Sequence, residues 1–226
     1  MDIETTSNIT KRFTHPKLFQ LLRSIAIAII TPILFSYKTG HFKSALAKKS
    51  IDRNCNPLPW YSYPAIDFFS RKDFSNKSVL EWGGGQSTLW WRSRANSTVT
   101  FEDNINWYTY LLDSISDNHS TYLTSNKLDD IEQHIKEKRF DVIVIDGLDR
   151  LKCATKSIEL LNEGGAIVLD DSESYHSILD FFKEKKFYRV DFFGYVPSAA
   201  LQHCTSVFFS KYCFLFEGLE NVDLNI

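Results

Sequence analysis

Between Ser78 and Thr88 the chain reads Ser-Val-Leu-Glu-Trp-Gly-Gly-Gly-Gln-Ser-Thr, an apolar strand that meets an acidic residue and then three glycines before a helix-like stretch. Glycines at Gly83 and Gly85 let the backbone turn tightly and approach a ligand with no Cβ in the way. Glu81 places a carboxylate at the carboxyl end of that strand. It would repel a pyrophosphate, so the ligand that suits this turn is a nucleoside cofactor with a cationic or hydroxyl-bearing end. Glu102 and Asp103, then Asp146, then Asp170 and Asp171, close later strand-like runs. Buried carboxylates are costly unless paired, ligated or wet, so several at one sheet edge predict a shared polar site.

The elements that must position these residues follow from periodicity. Strands are expected at Ser78–Trp82, Thr98–Glu102, Thr121–Thr124, Phe140–Asp146, Ala166–Asp170, Phe187–Phe193 and Thr205–Phe209. Helical spacing of apolar residues appears at Ala65–Arg71, Ile105–Ile115 and Ala154–Leu161, the last expected to stop at Gly164 and Gly165. Asp103 reads as a cap for the helix starting near Asn104. Strand-helix alternation implies a parallel sheet covered on both faces. The loop from Gly194 to Thr205 leaves no room for a crossover helix, so the last two strands form an antiparallel edge hairpin. The expected fold is α/β, a doubly wound Rossmann-like sheet of seven strands.

With 226 residues, 43% of them hydrophobic and 15% aromatic, the chain can bury a core and is not disordered by composition. A net charge of −2 gives no drive toward nucleic acid. The charge is uneven, with +6 over residues 1–50 and −8 over the rest. A Pro- and Asn-rich stretch from Asp52 to Pro64 marks a boundary, giving a basic, partly apolar helical arm (residues 1–53) and an α/β domain (54–226). Within the arm the apolar run Ile25–Phe35 is shorter than the roughly 20 residues a bilayer crossing needs. The arm is expected to pack on the domain or another subunit, with contact to a membrane surface through residues 11–49 as the alternative. No cleaved leader stands out. Cys55, Cys153, Cys204 and Cys213 have neither zinc-site nor redox spacing, which fits reduced thiols in a cytoplasmic protein.

Glu81-Trp82-Gly83-Gly84-Gly85-Gln86-Ser87 resembles the acidic-x-Gly-x-Gly loop of class I S-adenosylmethionine-dependent methyltransferases, and Glu102 follows at the end of the next strand. Phe140-Asp-Val-Ile-Val-Ile-Asp-Gly and Leu161-Asn-Glu-Gly-Gly-Ala-Ile-Val-Leu-Asp-Asp extend the likeness to about Pro59–Lys211. It is similar in particular to uncharacterised bacterial methyltransferase-like proteins with a Pro-Trp-x-x-Tyr-Pro entry (here Pro59 to Pro64) and an Asp-Gly-x-x-Arg-x-x-Cys stretch (here Asp146 to Cys153). The resemblance implies S-adenosylmethionine as cofactor, held by Glu81, Gly83, Gly84, Gly85, Ser87, Glu102 and Asp146. In it, Glu102 would take both ribose hydroxyls, as a carboxylate with two acceptor oxygens can.

Asp146, Asp170 and Asp171 resemble the metal trio of cation-dependent O-methyltransferases, with Asp171 standing where that family often has Asn. The resemblance implies Mg²⁺, which would lower the pKa of a substrate hydroxyl there; the alternative is that these strand-end carboxylates cap the next helix. Asp146, Asp170 and His176 are the candidates for catalysis, and Arg150 is a default partner of Asp149 or Asp146. Trp60, Tyr61, Tyr63 and Trp82 are expected either near the ligand or in the core. The function implied is methyl transfer to a small-molecule or sugar-like acceptor, at oxygen. Two rivals are a nicotinamide-dependent oxidoreductase, disfavoured by Thr88 where a third glycine belongs, and a catalytically silent methyltransferase-like binding module.

Overall fold

A computed structural model describes residues 17–124, 128–135, 138–147 and 149–217. Three helices come first: α1 (Lys17–Thr39), α2 (His41–Ala47) and α3 (Tyr63–Ser70). Then β1 (Ser78–Trp82), α4 (Gln86–Arg92), β2 (Ser97–Glu102), α5 (Ile105–Leu112), β3 (His119–Leu123), α6 (Leu128–Ile135) and β4 (Phe140–Ile145) alternate. They are followed by α7 (Arg150–Leu160), β5 (Leu161–Leu169), α8 (His176–Glu184), β6 (Tyr188–Tyr195) and β7 (Gln202–Phe209). The seven strands form one sheet in the order β3-β2-β1-β4-β5-β7-β6. The first five are parallel, and β7 runs antiparallel to both β5 and β6. This is the expected doubly wound sheet with its antiparallel edge.

Side chains alternate across the pleat, and that alternation fixes where each acidic residue points. Leu80, Trp82, Val99, Phe101, Ile143 and Ile145 face one core, closed by α6, α7 and α8. Val79, Val142, Val144, Ala166 and Val168 face the other, closed by α3 and α4 with Tyr61, Phe69 and Trp91. Each fully buried Leu or Ile in these layers contributes about 1.5–3 kcal/mol. By the same count of two, Glu81, Glu102, Asp146 and Asp170 all fall on the α4 side of the sheet.

Several local expectations change. The glycines after Leu161 do not cap α7: the helix ends at Leu160, β5 already begins at Leu161, and Gly164 (φ +74°) lies in the strand, next to a register shift opposite Phe140–Val142. The cap of α5 is Asn104, not Asp103, because its side chain accepts from the Asn106 and Trp107 amides. Ser62 caps α3, accepting from Ala65 N while its hydroxyl donates to Phe192 O at 2.7 Å, with Pro64 in the first turn.

The arm differs most. The apolar run is part of a 23-residue helix, α1, long and apolar enough to cross a membrane by length and composition, and none of its residues is buried. At its carboxyl end it meets the domain: Phe35 packs edge-on against Tyr63 at 5.2 Å and beside Tyr195 at 6.2 Å. The basic residues Lys11 and Arg12, and the polar tail after Gly218, lie outside the described residues.

Candidate active site

The three glycines of the β1–α4 turn do different jobs. Gly83 sits at φ +95°, and a Cβ there would lie 2.5 Å from the Gly147 amide nitrogen, so neither its backbone nor its neighbour admits a side chain. A Cβ on Gly84 would press on Thr100 and Leu111 at 2.8 and 2.9 Å. Gly85 is extended and faces open space, with nothing within 4 Å of where a Cβ would stand. The first two glycines therefore let the turn pack on the protein. The third leaves room for something else.

Around that space the carboxylates are unevenly satisfied. Thr88 donates its hydroxyl to Glu81 Oε2, and Thr100, paired with Glu81 across β1 and β2, donates at 3.3 Å. Glu81 Oε1 has no hydrogen-bond partner; among the described residues the other such buried side-chain atom is Arg92 Nε. Burial pushes the Glu81 carboxyl up to about 7, Asp146 adds to this, and the Ser87, Thr88 and Thr100 hydroxyls oppose it. Glu102 accepts from Gly84 N at 2.5 Å and from Asn104 N at 2.7 Å, which aligns its carboxylate with the turn. Its pKa is raised by burial, those two amides opposing.

Asp146 and Asp170 extend the row. Asp146 is pushed up to about 6 by burial, opposed by Arg150 and reinforced by Asp171 and Glu102. Asp170 is held well above the usual carboxylate range by burial and by the Asp146 and Asp171 charges, with the Thr205 hydrogen bond and Arg150 opposing. Thr205 donates to Asp170 Oδ1 at 2.7 Å and accepts from Ser62 N at 3.0 Å, tying the Pro59–Pro64 segment to the end of β5. Arg150 pairs with Asp146 at 2.9 Å, lies 3.9 Å from Asp171, and donates to the main-chain oxygens of Asp146, Gly147 and Asp170. Asp149 pairs instead with Lys152. Leu148, inside this motif, lies outside the described residues.

The histidines divide by face. His203 shares the pleat of Thr205 and lies 3.1 Å from Asp171 and 2.8 Å from Glu173. His176 opens α8 and lines a groove with Ser172, Cys204, Ser206 and Phe208, on the opposite side of the sheet. The structure thus brings an imidazole to the acidic row, but not the one the chain's order pointed to. Thr88, Thr205 and His203 were missed from sequence. A count of two along β7 from the strand-end carboxylates was the signal for the last two.

The aromatic candidates separate as well. Tyr61 is fully buried, takes a hydrogen bond from Trp91 at 3.2 Å, and its hydroxyl is raised by burial. Trp82 stacks on Phe101 at 5.2 Å and donates to Ser157, so it belongs to the core. Trp60 is half-buried, donates to Ser198 at 3.3 Å and meets Trp107 edge-on at 6.4 Å. A narrow cleft lined by Trp82, Gly83, Phe101, Asp103, Gly147 and Cys153 opens at the carboxyl ends of β1, β2 and β4, on the α6–α7 side of the sheet and not on the side of the acidic row. Ligands of open α/β sheets bind at such ends.

The site's donor sets fit the groups that the fold implies. An orphaned buried acceptor (Glu81 Oε1), open space at Gly85 and a row of carboxylates suit a cationic nucleoside with hydroxyls. Oxygen atoms of Asp146, Asp170 and Asp171 lie within 4.8 Å of one another, as do ligand atoms of Asp171, Glu173 and His203. Hard oxygen donors at that spacing fit Mg²⁺.

No protein-family model and no curated protein matches this chain. Solved structures do. Cofactor-bound Rv0187 from MTB superposes with a TM-score of 0.56 at 16% identity, covering 81% of this chain and 96% of that one. Precorrin-6y C5,15-methyltransferase from Geobacter metallireducens gives 0.50 at 12%, covering 65% and 87%. A chain from Streptococcus mutans assigned as a SAM-dependent methyltransferase also gives 0.50, at 14%, covering 63% of this chain and 47% of that one. The present chain thus spans about half the length of the Streptococcus mutans protein. Its fold is that of class I S-adenosylmethionine-dependent methyltransferases.

Proposed function

We propose that the chain is an S-adenosylmethionine-dependent methyltransferase acting on a small-molecule acceptor at oxygen. The observation that carries this reading is the unpartnered Oε1 of Glu81, a buried acceptor beside the open side of the glycine turn. Glu81, Gly83, Gly84, Gly85, Ser87, Glu102 and Asp146 would hold the cofactor. The cofactor supplies a methyl group already activated on a sulfonium, so the chain's task is alignment and removal of one proton. Both oxygens of Glu102 are pre-aligned by main-chain amides, leaving lone pairs for two hydroxyls.

For the proton, Asp170 and His203 are better placed than His176, because they stand on the face of the acidic row. Asp170, with its raised pKa, holds or accepts a proton more readily than an ordinary carboxylate. Mg²⁺ at Asp146, Asp170 and Asp171 would add Lewis-acid assistance. Arg150 already lies against Asp146 and Asp171, so the ion and the guanidinium compete for the same oxygens.

The nicotinamide reading loses ground on Thr88. Its hydroxyl is committed to Glu81 and to the Gly85 amide, which places a carboxylate where a pyrophosphate would need bare amides. Calorimetric titration with S-adenosylmethionine, S-adenosylhomocysteine and NADH, with and without Mg²⁺, tests the proposal. Binding of the two sulfur nucleosides and not NADH is expected, and absence of both overturns it. Glu102→Ala should weaken S-adenosylmethionine by about 1.5–3 kcal/mol through lost charged hydrogen bonds.

A further inference from the structure

The feature left unused by the site is α1. Between Lys17 and Lys38 it carries one charge, Arg23, over 20 residues from Leu18 to Tyr37. At 1.5 Å per residue those 20 residues span about 30 Å, the thickness of a bilayer's hydrocarbon core. Leu18, Phe19 and Ile27 point about 90° apart around the helix axis, and each is at least half exposed. The remaining side holds Ser24 and Ala28, and the Ser24 hydroxyl is satisfied within the helix by Gln20 O at 2.9 Å.

A helix lying in the membrane surface needs a charged face opposite its apolar one. This helix has none. A helix apolar on nearly all sides requires burial in protein or lipid, and among the described residues the domain buries none of this helix, meeting it at Phe35 and Thr39. Pro32 in its interior is tolerated in membrane helices, whose neighbours and local adjustments re-satisfy the freed backbone groups. Arg23 stands about 9 Å from Lys17 along the axis, within reach of the interface by snorkelling.

Where the helix leaves this apolar length, the sequence turns basic. Lys38, Lys43, Lys48, Lys49 and Arg53 follow it, five against the three at Lys11, Arg12 and Lys17 before it. The joint is built firmly: Gly40 adopts φ +78° against Asp52, and the buried Ser44 hydroxyl donates to Ile51 O at 2.6 Å and accepts from Ile51 N at 3.0 Å. Tyr37 and Phe42, both about two-thirds exposed, flank the joint as interfacial aromatics do.

We propose that α1 crosses a lipid bilayer once and anchors the α/β domain on the cytoplasmic side, the side of the greater Lys and Arg count. This stands independently of the methyl-transfer reading.

The full chain expressed in a bacterial host tests it by membrane fractionation and alkaline carbonate extraction. The expected result is an intact-mass chain retained in the extracted membranes. Ile27→Lys combined with Ile30→Lys, at mid-helix, should lower the retained fraction by more than about tenfold while leaving the domain's melting temperature unchanged. Orientation is read on Cys55, exposed while Cys153, Cys204 and Cys213 are buried. A membrane-impermeant maleimide should label it only after the cells are broken. Recovery in the soluble fraction, release by carbonate, cleavage of the chain at α1, or labelling of Cys55 in intact cells would each overturn the proposal.

Discussion

The Thr88 hydroxyl is shared between Gly85 and Glu81: it accepts from the Gly85 amide at 3.0 Å and donates to the buried Glu81 carboxylate. One side chain in the first turn of α4 thereby sets both the shape of the glycine turn and the direction of the acid that closes β1. Thr88→Val removes both bonds at nearly constant volume and leaves a buried carboxylate short of a donor. The expected cost is about 1–3 kcal/mol of stability, with weaker S-adenosylmethionine binding, and Thr88→Ser should restore most of each. Urea unfolding and titration calorimetry of the two variants measure it.

Glu81 should give the ligand-free protein an inverted pH response. Its folded pKa of about 7 lies above the unfolded value near 4.5, so the folded state binds more protons between them. Stability is then fullest below the unfolded pKa and falls as pH rises toward 7, by up to about 3 kcal/mol from this group. Asp146, pushed up to about 6, acts in the same direction. Denaturant unfolding across this range should show that decline, and Glu81→Gln should remove a large part of it. A flat profile in the wild-type chain would mean that the Glu81 carboxyl is ionised on burial after all.

Gly83 and Gly85 should separate folding from binding. Gly83→Ala forces a Cβ into the Gly147 backbone at a left-handed φ, so loss of soluble, cooperatively unfolding protein is expected. Gly85→Ala meets no protein atom within 4 Å although the residue is buried, and should leave the melting temperature within about a degree or two. If the cofactor uses that open space, its affinity should nevertheless drop by at least about tenfold, or about 1.4 kcal/mol. Unchanged affinity would move the ligand away from the third glycine.

Arg150 decides the metal question. Arg150→Gln leaves Asp146 and Asp171 without their guanidinium, a change expected to cost about 1.5–3 kcal/mol because both carboxylates are partly exposed. If the trio holds Mg²⁺, the variant's melting temperature should rise with added Mg²⁺ more than the wild type's does. An equal response in both chains, or none, would assign these carboxylates to Arg150 alone.

Much of this site was written in the strand ends. The acidic residues after apolar runs predicted a polar row, and a parallel sheet with an alternating pleat does gather Glu81, Glu102, Asp146 and Asp170 at one edge and on one face. What the chain order hid was which face each residue takes when a turn intervenes. His176 is near Asp170 in sequence but is carried across the sheet by the turn at Asp171 (φ +50°) into α8, whereas His203 returns on β7 beside Asp171. Gly164 misled for a related reason: a left-handed glycine serves a strand irregularity as readily as a helix stop. The helix of the arm is longer than the apolar run suggested, because Arg23 and Lys38 framed that run too narrowly while the helix continues past both.

The Thr205 bridge between Ser62 and Asp170 has a consequence for docking. Its single hydroxyl proton goes to Asp170, so the Ser62 amide is held by an oxygen whose orientation the aspartate dictates. Were Asp170 to take up a proton, its own O–H could donate to the Thr205 oxygen and the Thr205 hydroxyl would be free to turn away. The segment from Pro59 to Pro64 would then be held less firmly against the end of β5, so the charge on one carboxylate sets how tightly the lead-in to α3 is docked.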